Sequence, residues 1–167
     1  AYPFEPIQMS LISSLTIGMP AFILALEPNH DRVSGKFLTN VISKAIPSGL
    51  TTVLNILILV FLAGILKVSS GEVSTVAVII TWYTAVLLIY RISKPLNLLR
   101  RSLLIIIIIL FLLAFIIPML RGLYSLEILK PNALLILTFL MYLSTRIFTS
   151  LSKLLNIVIK KKQSWFI

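Results

Sequence analysis

Five apolar stretches, each near the roughly 20 residues that a helix needs to cross a hydrocarbon core, alternate along this chain with short polar segments. The alternation places spans at about 7–26, 46–66, 74–90, 103–120 and 133–150. Polar positions are unevenly shared among them. The first span carries Ser13, Ser14, Thr16, Gly18 and Pro20 at its middle, and the second holds Ser48, Gly49, Thr51, Thr52 and Asn55 in its first half. Small residues and hydroxyls of this kind allow close helix contact, and Asn55 reads as one half of an interhelical hydrogen bond. Trp82 and Tyr83 lie too deep in the third span for an interfacial belt and read as packing residues, whereas Tyr90 suits the belt. The fourth span, with Ile105 to Ile109, is apolar all round and reads as mostly lipid-facing. Beyond Arg146, which is expected to snorkel to the headgroups, Ile147, Leu151, Leu154, Leu155 and Val158 recur at helical spacing, predicting an amphipathic tail over 151–167. Phe37 to Ile46 reads as a short interfacial segment, separated from the second span by Pro47. The expected fold is an all-α integral membrane bundle of five transmembrane helices, the first broken near Gly18–Pro20.

Composition agrees: 59% of the 167 residues are hydrophobic and mean hydropathy is +1.07, far too apolar for a water-soluble domain of this size. The absence of Cys excludes disulfides and thiolate metal sites. A net charge of +10 could suggest nucleic acid, but the bases sit at span ends. Alternate connections hold Arg32, Lys36 and Lys44, then Arg91, Lys94, Arg100 and Arg101, then Arg146, Lys153, Lys160, Lys161 and Lys162; the opposite side has Lys67, Arg121 and Lys130. That asymmetry predicts the amino end outside and the carboxyl end in the cytoplasm. Arg100 and Arg101 are accordingly expected to anchor at the anionic leaflet. His30, between Asn29 and Asp31 in a loop, reads as solvated.

The middle of the first span carries the chemistry. Pro20 removes an amide donor and blocks the carbonyl one turn earlier, and Gly18 loosens the same turn. Freed carbonyls beside Ser13, Ser14 and Thr16 form a cluster of neutral oxygens where an ion could be held, with Ser13 and Thr16 as the candidate metal ligands. Close helix packing through small residues is the structural alternative.

These residues resemble the sixth transmembrane helix of P-type cation-pumping ATPases. Pro6-Ile7-Gln8 matches the family's Pro-x-Gln start, and Ser13-Ser14-Leu15-Thr16-Ile17-Gly18-Met19-Pro20 its Asn-x-x-Thr-Asp-Gly-x-Pro core. Ser13 falls at the Asn, Thr16 and Pro20 match, and Ile17 replaces the ion-binding Asp. Leu24-Ala25-Leu26-Glu27-Pro28-Asn29 is close to a pattern of a bacterial subgroup. The resemblance is specific over about residues 6 to 46 and architectural beyond. It implies that residues 1–167 are the carboxy-terminal transmembrane domain, helices six to ten, of a pump in a bacterial cell membrane. It also implies that the transported cation is calcium or another metal and that Glu27, Pro28, Asn29, Asp31 and Arg32 form a cytosolic coupling loop. The third span would offer Tyr83 where calcium pumps place a Glu. Mg-ATP, and the amino-terminal membrane and cytosolic ATPase domains of the same polypeptide, are implied as partners. The Asp-Lys-Thr-Gly-Thr, Thr-Gly-Glu-Ser and ATP-binding elements do not occur in this sequence, so no catalytic residue is expected within it. Ala1 opens directly onto a Pro-rich approach to a span, so the chain reads as a piece of a longer polypeptide, with a cleaved signal peptide as the competing explanation. A stand-alone five-span scaffold or accessory subunit is the alternative function. A secondary transporter would be expected to show a second broken span.

Overall fold

A computed structural model describes residues 3–27 and 37–163. Among them every regular element is helical: α1 (Pro6–Ser13), a π-helical turn (Ser14–Gly18), α2 (Met19–Ala25), α3 (Phe37–Leu66), α4 (Ser70–Ile92), α5 (Leu98–Ile116), α6 (Pro118–Leu123) and α7 (Pro131–Gln163). Five of the resulting rods are long and apolar enough to cross a membrane, at Pro6–Ala25, Val41–Leu66, Ser70–Ile92, Leu98–Ile116 and Pro131–Leu155. The first is the bent one, built from α1, the π turn and α2.

Local chemistry sets where these rods begin. Ser69 starts α4 earlier than hydropathy indicates: its Oγ accepts from the Glu72 amide at 3.3 Å, while Glu72 Oε2 accepts from the Ser69 amide at 3.3 Å. This reciprocal capping box satisfies two amides that the helix itself leaves open. Asn97 does the same for α5, accepting from the Arg100 amide at 2.9 Å, so Leu98 to Arg101 are helical rather than connector. The segment 37–46 is not separate from the second span. One helix runs from Phe37 to Leu66 through Pro47, and beyond the proline Thr51 Oγ1 donates to the Pro47 carbonyl at 2.6 Å and Thr52 Oγ1 to the Ser48 carbonyl at 3.0 Å. Neighbouring helices let a proline persist within a membrane helix. Pro118 lies outside the fourth span: α5 stops at Ile116, and the proline opens α6.

The centre of the bundle is α4. Half of its span is buried inside the protein, against 22–28% in the other four. One of its faces meets the first span and α5 through Leu11, Ile12, Leu15, Val78, Trp82, Leu103, Ile107 and Phe111. Trp82 stacks on Phe111 with ring centroids 4.0 Å apart. The other face meets α3 and α7 through Leu59, Val76, Ala77, Ile80, Ile136 and Leu140. On this second side polar groups also pair across the helices. Asn55 Nδ2 donates to Ser144 Oγ at 2.7 Å, Thr52 and Thr84 hydroxyls meet at 2.8 Å, and Tyr83 and Thr145 hydroxyls at 2.8 Å. In α5 the buried positions Leu103, Leu104, Ile107, Phe111 and Ala114 form one stripe, leaving Ile105, Ile106, Ile108, Ile109, Leu112 and Leu113 exposed to the lipid side.

Candidate ion-binding site

The first span does not unwind at its glycine and proline; it widens. From Ser14 to Gly18 the turn is π-helical, and the Met19 amide reaches back five residues to the Ser14 carbonyl. Gly18 keeps right-handed helical angles. Pro20 supplies no amide hydrogen, so the carbonyls of the preceding turn are one donor short. π turns of this kind recur at functional sites. The hydroxyls are partly committed to their own helix: Ser13 Oγ donates to the Ser10 carbonyl at 3.2 Å and Thr16 Oγ1 to the Ile12 carbonyl at 2.7 Å. A donating hydroxyl keeps its lone pairs, so each oxygen remains available as a ligand.

Orientation separates the candidates. Leu11, Ile12 and Leu15 are buried against α4 and α5, and Pro20 is buried as well. Ser13, Ser14, Ile17 and Gly18 lie on the exposed face, turned away from the other four spans, with Thr16 half-buried at its edge. Ile17 is 66% exposed. No group of three or more His, Asp or Glu side chains that could hold a metal occurs among the described residues. Tyr83 is occupied with Thr145 on α7.

Both ends of the span are tied down by residues whose roles the sequence did not disclose. At one end Gln8 is fully buried. Its Oε1 accepts from the Glu5 amide at 3.0 Å and from Ser74 Oγ at 2.5 Å, and its Nε2 donates to the Ser125 carbonyl at 3.2 Å. One side chain thus joins α1, the start of α4 and the connector before α7. At the other end Glu27 Oε2 meets Arg100 Nε at 2.8 Å, and Asn97 Nδ2 donates to Glu27 Oε1. Arg100 also donates to the carbonyls of Ser93 at 3.3 Å and Pro95 at 3.1 Å. The hydrogen bond from Arg100, followed by that from Asn97, holds the Glu27 carboxyl below its ordinary range against the opposing effect of desolvation. Arg100 is therefore a protein ligand here and not the free leaflet anchor expected from its place in a basic connector; Arg101 is exposed. The available signal was opposite charges at the ends of spans on the same side, but 73 residues separate the pair. Pro28, Asn29, Asp31 and Arg32 of the expected coupling loop lie outside the described residues, as does His30.

No family model matches the chain, and no solved structure does. Curated relatives do. Over 49 residues, 29% of this chain, it is 47% identical to the calcium-transporting ATPase CtpE of Mycolicibacterium smegmatis, and over a stretch of the same length 45% identical to that of Mycobacterium tuberculosis. Over 99 residues, 59% of this chain, it is 30% identical to the probable cation-transporting ATPase exp7 of Streptococcus pneumoniae. The matched stretches span only 6% and 13% of these relatives' own lengths. Over those stretches the chain, a bundle of membrane-length helices, is similar to cation-transporting ATPases of bacteria.

Proposed function

We propose that the chain is the carboxy-terminal membrane portion, helices six to ten, of an ATP-driven P-type cation pump, and that its first span supplies part of the transmembrane ion site. The observation that carries this reading is the bent span with its polar face turned outward. In hydrocarbon, a turn one amide donor short is satisfied only by further protein or by water, and Ser13 and Thr16, whose hydroxyls donate to their own helix, keep lone pairs free, so Ser13, Ser14, Thr16 and the carbonyls near Gly18 and Pro20 would face a position that other helices complete. The oxygens available are neutral, so full-charge ligands would come from those helices. The site would then take at most one divalent ion per cycle, or a monovalent one. Calcium is the first candidate because it is the ion in the name of the relatives from Mycolicibacterium smegmatis and Mycobacterium tuberculosis. Glu27 and the loop after it would face the cytosolic phosphorylation domain, with the amino end outside and the carboxyl end cytoplasmic in a bacterial cell membrane. Mg-ATP would bind on domains of the same polypeptide other than this one. The test is phosphoenzyme formation by the full polypeptide in membranes given radiolabelled ATP. An acid-stable, hydroxylamine-sensitive label whose formation depends on added calcium is the expected result. Absence of label with calcium and with every other cation tried would refute the reading.

A further inference from the structure

On the side of the bundle where Gln8 sits, α5 and α7 both pack on α4. The gap between them is a groove of about 390 Å³ walled by Ile79 of α4, Phe115 of α5, and Leu134 and Leu137 of α7, and headed by Arg121 of α6 and Glu127 of the connector. That volume falls within the range of ligand pockets, about 300–1,000 Å³. The spans on either side end at Ile116 and resume at Pro131, so the head of the groove lies at the level of the lipid headgroups and its apolar walls lie in the acyl region. Any such gap in a bilayer fills with hydrocarbon. What distinguishes this one is the cation at its head. Arg121 is half-buried and forms no ion pair among the described residues. The acid beside it is turned toward the start of α4: Glu127 Oε2 lies 3.2 Å from Ser69 Oγ, whose hydroxyl Glu72 Oε2 shares at 2.9 Å, and its carboxylate lies so close over Gly71 that a Cβ there would overlap it. A guanidinium left without a counter-ion at an apolar boundary is suited to a phosphodiester, which its planar fork can grip through two oxygens.

We propose that this groove is a glycerophospholipid site, with the lipid phosphate on Arg121 and one acyl chain between α5 and α7. Charge supports a lipid over a helix: Arg121 at the head of the groove forms no ion pair among the described residues, although Glu127 stands there too. The site is independent of the pump reading, and either can fail alone. The test is native mass spectrometry of the purified chain titrated with palmitoyl-oleoyl phosphatidylglycerol, with palmitoyl-oleoyl glycerol, which lacks the phosphate, and with inorganic phosphate. One phosphatidylglycerol should be retained about tenfold more tightly than the neutral lipid, the worth of a charge-assisted hydrogen bond or more, and inorganic phosphate alone should not be retained. Arg121→Gln should bring phosphatidylglycerol down to the level of the neutral lipid, and Leu134→Trp, which fills the groove from its exposed side, should lower retention of both. Arg146→Gln, at a base beside Tyr142 on α7, should change nothing. Thermal unfolding in detergent checks that each variant is folded. Equal retention of the two lipids by the native chain, or undiminished phosphatidylglycerol retention by folded Arg121→Gln, would overturn the site and leave annular lipid only.

Discussion

Replacing Thr16 with Val separates an ion-ligating oxygen from a structural one. Valine keeps the β-branched shape, so no cavity forms, and the change replaces the Oγ1, with its 2.7 Å bond to the Ile12 carbonyl, by a methyl group. Side-chain hydrogen bonds within membranes average about 0.6 kcal/mol, which sets the stability cost well under 1 kcal/mol. For a bound cation the loss is larger. A contact between a neutral polar group and a charge is worth about 1.5–3 kcal/mol, and about 1.4 kcal/mol is a factor of ten in affinity. Half-maximal activation of ATP hydrolysis in the proposed full-length pump should therefore need about 10- to 100-fold more ion in Thr16→Val, at an almost unchanged unfolding temperature. Tyr83→Phe is the comparison, because it deletes the hydroxyl that meets Thr145 at 2.8 Å at a similar structural cost. Its ion dependence should stay within about twofold, a shift below 0.5 kcal/mol. Unchanged ion dependence in Thr16→Val together with a large loss in Tyr83→Phe would put the site on the third span and refute the reasoning.

Four further outcomes follow from particular residues. Arg100→Gln should release Glu27 and speed amide exchange at the start of α5, where Asn97 and Arg100 are held; exchange as slow as in the native chain would show that the ion pair does not restrain this end. Because the pairing lowers the Glu27 carboxyl, its contribution is present above the ordinary glutamate value of about 4.3 and is lost as pH falls below it, so acid should mimic Arg100→Gln. Phe111→Ala removes the ring stacked on Trp82 and should cost less than the ~3–5 kcal/mol seen in water-soluble cores, since the unfolded reference is already in lipid; a cost at the top of that range in a reversible unfolding assay in bicelles would contradict this. Leu98→Cys, at an 84% exposed position, should be labelled by an impermeant thiol reagent only from the cytoplasmic face, and labelling from outside would invert the proposed orientation.

Hydropathy disclosed the five rods because a bilayer imposes a length and an apolar composition on anything that crosses it. The bend of the first span was equally legible, since Gly18 and Pro20 act on the backbone locally. What hydropathy could not disclose is which rod is central. Lipid tails and neighbouring helices are alike apolar, so α4, buried on both faces, has a hydropathy of 2.0, in the middle of the 1.6–2.6 range of the five spans. Helix starts were misjudged where caps decide them: Ser69 with Glu72, and Asn97, sit in polar connectors whose composition is that of a loop. Pro47 misled in the opposite direction, because one helix runs through it from Phe37 to Leu66. The ties at Gln8 and Glu27 join residues 66 to 117 positions apart, beyond the reach of any local pattern.

Those ties bear on how the first span could work. Gln8 pins one end to Ser74 and Ser125, and Glu27 pins the other to Asn97 and Arg100. Between the pins the backbone leaves the α-helical ladder at the π turn from Ser14 to Gly18 and again only at Leu26, next to Glu27 itself. A π turn holds one residue more than the α-helical ladder needs, and moving that surplus along the helix turns the intervening residues by about 100°. With both ends held, a shift of this kind changes the direction in which Ser13, Ser14 and Thr16 point without changing the length of the rod. In the proposed pump the oxygens would then face the missing helices in one register and turn aside in another, the differential ion affinity that alternating states require. Glu27 is the pin nearest the coupling loop, so force from the cytosolic side would reach the π turn through α2, seven residues of continuous helix.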